Sequence, residues 1–132
     1  RASCVLLDDL IDEGVNVKAF FHGNFNDELV EVIRSEKSFR KWKYGITSAE
    51  VLFIDDLFAS KLTERVEASL FDILDERISW KRPTIITTQV TGKEAKQIFH
   101  SLKRCEAFFA RIAEFFQVVR FVDPVQEEIN IQ

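Results

Sequence analysis

The stretch that most constrains this chain is VLFIDDL, residues 51–57, in which four apolar residues run directly into two aspartates. An unbroken apolar run favours a strand that is buried on both faces, as in a parallel sheet covered by helices. Asp55 and Asp56 would then emerge at the carboxyl edge of the sheet, where open α/β sheets bind ligands. Two carboxylates there can hold a hydrated Mg²⁺ and orient a water molecule. The alternative is that they begin a loop or cap the next helix, since acids are favoured at turns.

The composition fits one globular domain and excludes several other classes. The chain has 132 residues, 46% of them hydrophobic and 30% charged, which suffices for a single core. The net charge of −4 excludes a global basic field, although a local basic patch remains possible. Cys4 and Cys105 lack the spacing of a zinc site, so a reducing cytoplasm is the expected location. No apolar run is long enough for a membrane span, and no secretory signal opens the chain.

The spacing of apolar residues predicts that strands and helices alternate along the chain. Alternation over residues 15–21 predicts an edge strand, and the β-branched run at 84–88 predicts a central one. A last strand is predicted at Val118–Val122. Helices are predicted over residues 2–14, from an N-cap at Asn26 onward, within 35–48, after a cap at Thr63, after a capping box at Thr91–Glu94, and over 105–116. We therefore expect a three-layer α/β domain over residues 1–122, with a parallel sheet and helices on both faces, and a polar tail at 123–132.

Cations and aromatic residues interleave over residues 34–44. Such interleaving can bind single-stranded nucleic acid, with Arg40, Lys41 and Lys43 as the candidate contacts. The simpler interpretation, which we favour, is a short amphipathic helix whose aromatic side chains pack on the sheet.

The order of polar residues at the ends of the predicted strands is distinctive enough to compare with known protein families. An acidic pair ends one strand, Gln89 ends the next after two threonines, and Arg111 lies on a later helix. The chain resembles the second half of an AAA+ P-loop ATPase. In this resemblance VLFIDDL corresponds to Walker B, and the segment FDILDERISWKRPTIITTQ leads through a long helix to the sensor strand. The ending ARIAEFFQVVRF matches as well. The chain is most similar to the helicase-loader branch, the DnaC, DnaI and IstB-like proteins, from about Val5 to Val122.

The resemblance implies a role for each of these polar residues. Asp55 would hold Mg²⁺, and Asp56 would orient the attacking water, where the family more often has Glu. Gln89 occupies the sensor position, which is usually Asn. Arg111 would be the arginine finger for the nucleotide of a neighbouring subunit, with Arg104 as a weaker second candidate for an anion contact. The alternative for Arg111 is an exposed helix residue lying over an apolar face.

The phosphate loop, GxxxxGK[ST], does not occur in this sequence. The family places it directly before the first helix, which here begins near Ala2, and Lys93 lacks the upstream glycines to replace it. The first strand of the family's sheet would be absent as well. Because the absence of this strand would leave a gap in the sheet and expose apolar edges, we expect the sequence to be part of a longer protein, or another segment to fill the gap.

By this resemblance, the chain would be an ATP-binding module of a helicase loader in DNA replication. ATP with Mg²⁺ would bind at the interface of a homo-oligomer that delivers a replicative helicase to single-stranded DNA, and ATP hydrolysis is expected of the full-length parent. The alternatives are a non-catalytic AAA+-derived interaction module and an IstB-like transposition subunit. A receiver-like phosphoacceptor is disfavoured, because it requires the acidic pair on the first strand.

Overall fold

The fold comes from a computed structural model that describes residues 2–21, 24–59 and 61–119. Helices and strands alternate over most of these residues, as the sequence predicted. The elements are α1 (Ala2–Asp12), β1 (Val17–Phe20), α2 (Asn24–Val32), α3 (Glu36–Ser48), β2 (Val51–Ile54), α4 (Glu64–Ser79), β3 (Thr84–Ile86), α5 (Gly92–Ile98) and α6 (Leu102–Phe115).

The described strands form one parallel sheet in the order β1-β2-β3. In its register, Phe53 lies opposite Ala19 on one side and Ile85 on the other. The VLFIDDL strand is therefore central, and the alternating strand β1 is at an edge of this sheet, as predicted. Strand β3, which was predicted to be central, lies at the other edge of the sheet that the described strands form. The prediction of an α/β fold with a parallel sheet and helices is confirmed.

Strand β2 is buried along its whole length, because its alternate side chains point to opposite faces and both faces are covered. Leu52 and Ile54 join the main hydrophobic cluster, which includes Leu29 of α2 and Leu70 of α4. On the strand itself, Phe53 is fully buried as well. The aspartates that follow β2 are thus held by the most deeply buried strand of the described sheet.

Local capping fixes where two helices begin. The Thr63 hydroxyl accepts a hydrogen bond from the Val66 N–H at 3.2 Å, which starts α4. The Thr91 hydroxyl accepts from the Glu94 N–H, and the Glu94 carboxylate accepts from the Thr91 N–H, each at 3.3 Å. Both caps were predicted, and each satisfies backbone donors that a helix start leaves free.

Several predicted boundaries differ from the structure; β3, for example, ends at Ile86 rather than at residue 88. Helix α2 begins at Asn24 rather than after Asn26, so Asn26 lies within the first turn and is not the N-cap. Of the predicted last strand, Val118 and Val119 are described; they form no strand and are 64% and 63% exposed. Residues 120–122 and the predicted tail at 123–132 lie outside the described residues. In the described ranges, no helix is both long enough and apolar enough to cross a bilayer.

Candidate functional site at the carboxyl edge of the sheet

Asp55 and Asp56 lie at the carboxyl edge of the sheet, where the sequence placed them, but Asp55 is not exposed. Its residue surface is 4% accessible. The Thr87 hydroxyl donates to Asp55 Oδ1 at 2.6 Å and accepts from the Asp56 N–H at 2.8 Å. A hydroxyl from the neighbouring strand thus compensates the buried carboxylate.

The loop after Asp55 is fastened to the end of β3 by further hydrogen bonds. The Leu57 N–H donates to the Thr87 carbonyl at 2.8 Å, and the Thr88 hydroxyl donates to the Leu57 carbonyl at 2.7 Å. Asp56 and Phe58 have φ values of 58° and 70°, in the left-handed region that costs a non-glycine residue about 1–2 kcal/mol. These bonds hold Asp56 in that conformation and so fix the position of its half-buried side chain.

Gln89, the residue predicted at the sensor position, is exposed. It lines a shallow cleft together with Asp56 and Glu94, so the structure brings Gln89 and Asp56 to the same edge. The side chain that bonds Asp55 is Thr87, which sequence reasoning missed. The strand register that pairs Ile54 with Ile86 would have identified Thr87. Asp55 directly follows Ile54 and Thr87 directly follows Ile86, so this register sets the two residues side by side.

The oxygen atoms at this edge are of the kinds that a divalent cation accepts. Asn26 Oδ1 is buried without a hydrogen-bond partner among the described residues, and Asn26 lines the same small pocket as Asp55 and Asp56. Carboxylate and amide oxygens are ligands that Mg²⁺ accepts, and Mg²⁺ commonly keeps several waters or phosphate oxygens. Within the described residues, no group of three or more His, Cys, Asp or Glu could hold a metal. Water molecules or phosphate oxygens would therefore have to complete the coordination.

Arg111, the predicted arginine finger, lies on α6 and is paired with Asp75 of α4. Both carboxylate oxygens of Asp75 accept from its guanidinium, one of them from Nη2 at 3.2 Å. The guanidinium also lies 4.5 Å from the ring centre of Phe71 and donates to the Ala107 carbonyl at 3.2 Å. Its contacts are thus on α4 and α6. A finger acts on a neighbouring subunit, so that role stays a prediction.

Arg104, the second candidate for an anion contact, is engaged by carboxylates of its own chain. It donates to Glu67 Oε1 at 2.7 Å and lies 3.6 Å from Glu64 Oε1. Glu67 is 2% exposed, and its other oxygen accepts from the His100 N–H at 2.9 Å. This arrangement ties the start of α6 to α4, a structural role that needs no ligand.

Helix α3 matches the simpler interpretation of its aromatic residues in part. Phe39 and Trp42 pack against the hydrophobic cluster, with the Trp42 ring 5.6 Å from that of Phe25. Tyr44 does not pack, and it is 73% exposed. Of the candidate nucleic-acid contacts, Arg40 and Lys41 are exposed and Lys43 is half-buried.

Arg77 is a buried charged residue at the opposite, amino edge of the sheet. It is completely inaccessible, and its guanidinium donates to the carbonyls of Ile46, Ala49 and Pro83 at 2.8, 2.8 and 2.7 Å. Burial and the nearby Arg82 lower the pKa of Arg77 from its ordinary value to about 10. It therefore remains charged at neutral pH and joins the end of α3 to the turn after α4.

No protein-family model matches the chain, and no curated protein sequence matches it. Solved structures do match. DnaA from Aquifex aeolicus bound to AMPPCP has a TM-score of 0.63 at 14% identity, covering 86% of this chain and 41% of that one. The chain therefore shares its α/β fold with this DnaA structure.

Two further structures support this fold. A DNA replication initiation factor has a TM-score of 0.63 at 15% identity, covering 95% of this chain and 42% of its own. The replication initiator DnaA bound to AMPPCP and single-stranded DNA has a TM-score of 0.71 at 14% identity, covering 94% and 39%. The chain thus spans about two fifths of the length of these proteins.

Proposed function

We propose that this chain is part of an AAA+ ATP-binding module that acts in DNA replication. The observation that carries the proposal is the buried Asp55, bonded to Thr87 and followed by Asp56, at the carboxyl edge of the central strand. Ligands bind at this edge in open α/β sheets. The likeness to DnaA solved with AMPPCP supports a nucleotide as that ligand.

Each residue at the edge has a proposed role in ATP binding or hydrolysis. Asp55, with Asn26 nearby, would hold Mg²⁺, which would neutralise charge on the phosphates. Asp56 would accept a hydrogen bond from the attacking water, and its fixed backbone keeps the carboxylate in place. Gln89, in the same cleft as Asp56, would donate its amide to the γ-phosphate or the water.

More specifically, we propose that the module belongs to a DnaC-like helicase loader that works as a homo-oligomer on single-stranded DNA. This proposal rests on the sequence resemblance, and one solved DnaA is bound to single-stranded DNA. Arg111 would reach the nucleotide of the neighbouring subunit, which requires it to leave Asp75. The replicative helicase is the proposed protein partner, and an IstB-like transposition role remains the variant of this proposal.

The test is Mg²⁺-dependent ATP hydrolysis by a chain extended upstream through a GxxxxGK[ST] loop. Asp55→Ala should abolish hydrolysis, and Asp56→Asn should keep nucleotide binding but lose turnover. Asp72→Asn, at an exposed position of α4, is the matched control and should behave as wild type. Normal turnover in both site variants would overturn the assignment.

Arg111→Ala separates the finger role from a structural one. Loss of a finger should lower turnover by a large factor, on the order of 10³, while a monomer still binds nucleotide normally. Unchanged hydrolysis would refute the finger. Nucleotide binding without any turnover in the wild type would favour the second candidate, a non-catalytic interaction module.

A further inference from the structure

An exposed surface at the amino edge of the sheet combines two aromatic rings with two cations. We name it the edge platform, and it consists of Tyr44, Trp80, Lys81 and Arg82. Tyr44 is 73% exposed and Trp80 is 66% exposed. These residues precede β2 and β3, whereas Asp55 and Asp56 follow β2. In a parallel sheet, the platform therefore lies at the edge opposite to the proposed nucleotide site.

The two halves of the edge platform are joined by hydrogen bonds. Arg82 Nη1 donates to the Thr47 carbonyl, and the Thr47 hydroxyl donates to the Tyr44 carbonyl at 3.4 Å. Beneath them, buried Arg77 bonds carbonyls on both sides of the junction, those of Ile46 and Pro83 among them. The ends of α3 and α4 are thus held in a fixed relation, which lowers the entropy cost of binding a ligand across them.

The turn after α4 holds Trp80 out in solvent. The Lys81 N–H donates to the Ile78 carbonyl at 3.0 Å and the Arg82 N–H to the Arg77 carbonyl at 2.9 Å, the pattern of a Schellman motif. Lys81 has a φ of 55° at the position where glycine is usual. A lysine here costs about 1 kcal/mol relative to glycine, so the backbone conformation does not favour a residue with a Cβ atom at this point.

The two arginines at this edge donate their hydrogen bonds to uncharged oxygens, which leaves their positive charge in place. Among the described residues, the guanidinium groups of Arg77 and Arg82 bond carbonyls and a hydroxyl and pair with no carboxylate. The carboxylate of Glu50 instead accepts from the Asn16 N–H at 3.2 Å. The charge that remains suits an anion such as a phosphodiester.

We propose that the edge platform binds single-stranded nucleic acid, with Tyr44 and Trp80 stacking on bases and Lys81 and Arg82 contacting phosphates. The Arg82 guanidinium lies 5.6 Å from the ring centre of Trp80, on one face of the indole, and a base would stack on the other. An exposed aromatic ring with cations beside it suits nucleic acid better than an apolar protein surface. The inference deepens the DNA-related part of the proposed function and does not depend on ATP.

The first test is fluorescence anisotropy with a labelled oligothymidine of about 20 nucleotides, longer than the roughly 4–16 that a comparable single-strand site covers. Trp80→Ala should weaken binding about tenfold, since stacking of one base contributes roughly 1–3 kcal/mol. The control is Phe115→Ala, which removes a 55% exposed aromatic ring from α6 and should leave affinity unchanged. A duplex of equal length, whose bases are already stacked, should bind more weakly.

The second test separates binding from folding at one residue. Lys81→Gly relieves the positive φ and should stabilise the fold in urea, but it should weaken oligothymidine binding. Loss of one phosphate contact should also reduce the slope of log affinity against log salt by about 0.7. Lys103→Gln, which removes an exposed lysine from α6, should change neither the affinity for oligothymidine nor its salt dependence.

The outcomes distinguish this inference from the proposed function. If the wild type binds oligothymidine and neither platform variant differs from it, the edge platform is not the binding site. Reduced binding after neutralising Arg40, Lys41 and Lys43 would then place the binding site on α3. Absence of oligothymidine binding in the wild type would refute the inference, while ATP binding would still test the nucleotide site. Platform variants that change self-association but not oligothymidine affinity would also overturn it.

Discussion

Replacing Thr87 with valine would remove one hydroxyl and leave a side chain of nearly the same shape. That hydroxyl donates to Asp55 Oδ1 at 2.6 Å and accepts from the Asp56 N–H at 2.8 Å. A hydrogen bond to a charged group contributes about 1.5–3 kcal/mol, and a buried donor left without a partner costs roughly 1–3 kcal/mol. Because Asp56 is half-buried and water can reach it in part, we expect Thr87→Val to lower the free energy of unfolding by about 3 kcal/mol.

The assay is equilibrium unfolding in urea, with two controls on the same strand end. Thr87→Ser keeps the hydroxyl and should lose about 1 kcal/mol or less through the missing methyl group. Thr88→Val removes the bond to the Leu57 carbonyl from an exposed residue, and it should also cost about 1 kcal/mol.

A double-mutant cycle with Asp55→Asn tests whether the cost arises from the carboxylate. The Asp55→Asn variant has a neutral amide in place of the buried carboxylate, so loss of the Thr87 hydroxyl no longer leaves a buried charge without a donor. Thr87→Val should therefore lower the free energy of unfolding about half as much in the Asp55→Asn background. A cost below about 1 kcal/mol in the wild-type background, or an equal cost in both backgrounds, would refute the argument that Thr87 compensates a buried charge.

Arg77→Met should lower the free energy of unfolding by about 3–5 kcal/mol, because several buried carbonyls lose their donor; a loss under about 1 kcal/mol would contradict this. Burial raises the pKa of the Cys105 thiol above its ordinary value of 9.0. In a Cys4→Ser chain, native alkylation should therefore be slow, and stability should fall as the pH rises above about 9; rapid native alkylation would contradict the burial. Asp75→Asn should cost less than about 1 kcal/mol, since its pair with Arg111 is partly exposed, as urea unfolding would measure.

The elements that local sequence signals determine were predictable. The continuous apolar run of β2 identified the central strand, because a strand buried on both faces needs apolar residues at every position. Thr63 and the Thr91–Glu94 pair located helix starts, because their side chains bond backbone groups within the same turn. The carboxyl-edge position of Asp55 followed from the strand alone.

What the sequence did not reveal depends on contacts between distant segments. Arg77 follows the helical spacing of the buried α4 residues Ile73 and Leu74, so its position on the buried stripe was visible. Its acceptors at Ile46 and Ala49 lie 31 and 28 residues away, and no local pattern indicates them. The Thr87–Asp55 bond spans 32 residues and likewise requires the strand register.

Calorimetric titration of ATP with Mg²⁺ into this chain, and into a version extended upstream through a GxxxxGK[ST] loop, measures whether the carboxyl edge is part of a nucleotide site. We expect binding by the extended version, loss of that binding without Mg²⁺ or after Asp55→Ala, and little or no binding by the shorter chain. Binding by neither version would contradict a nucleotide site at the carboxyl edge.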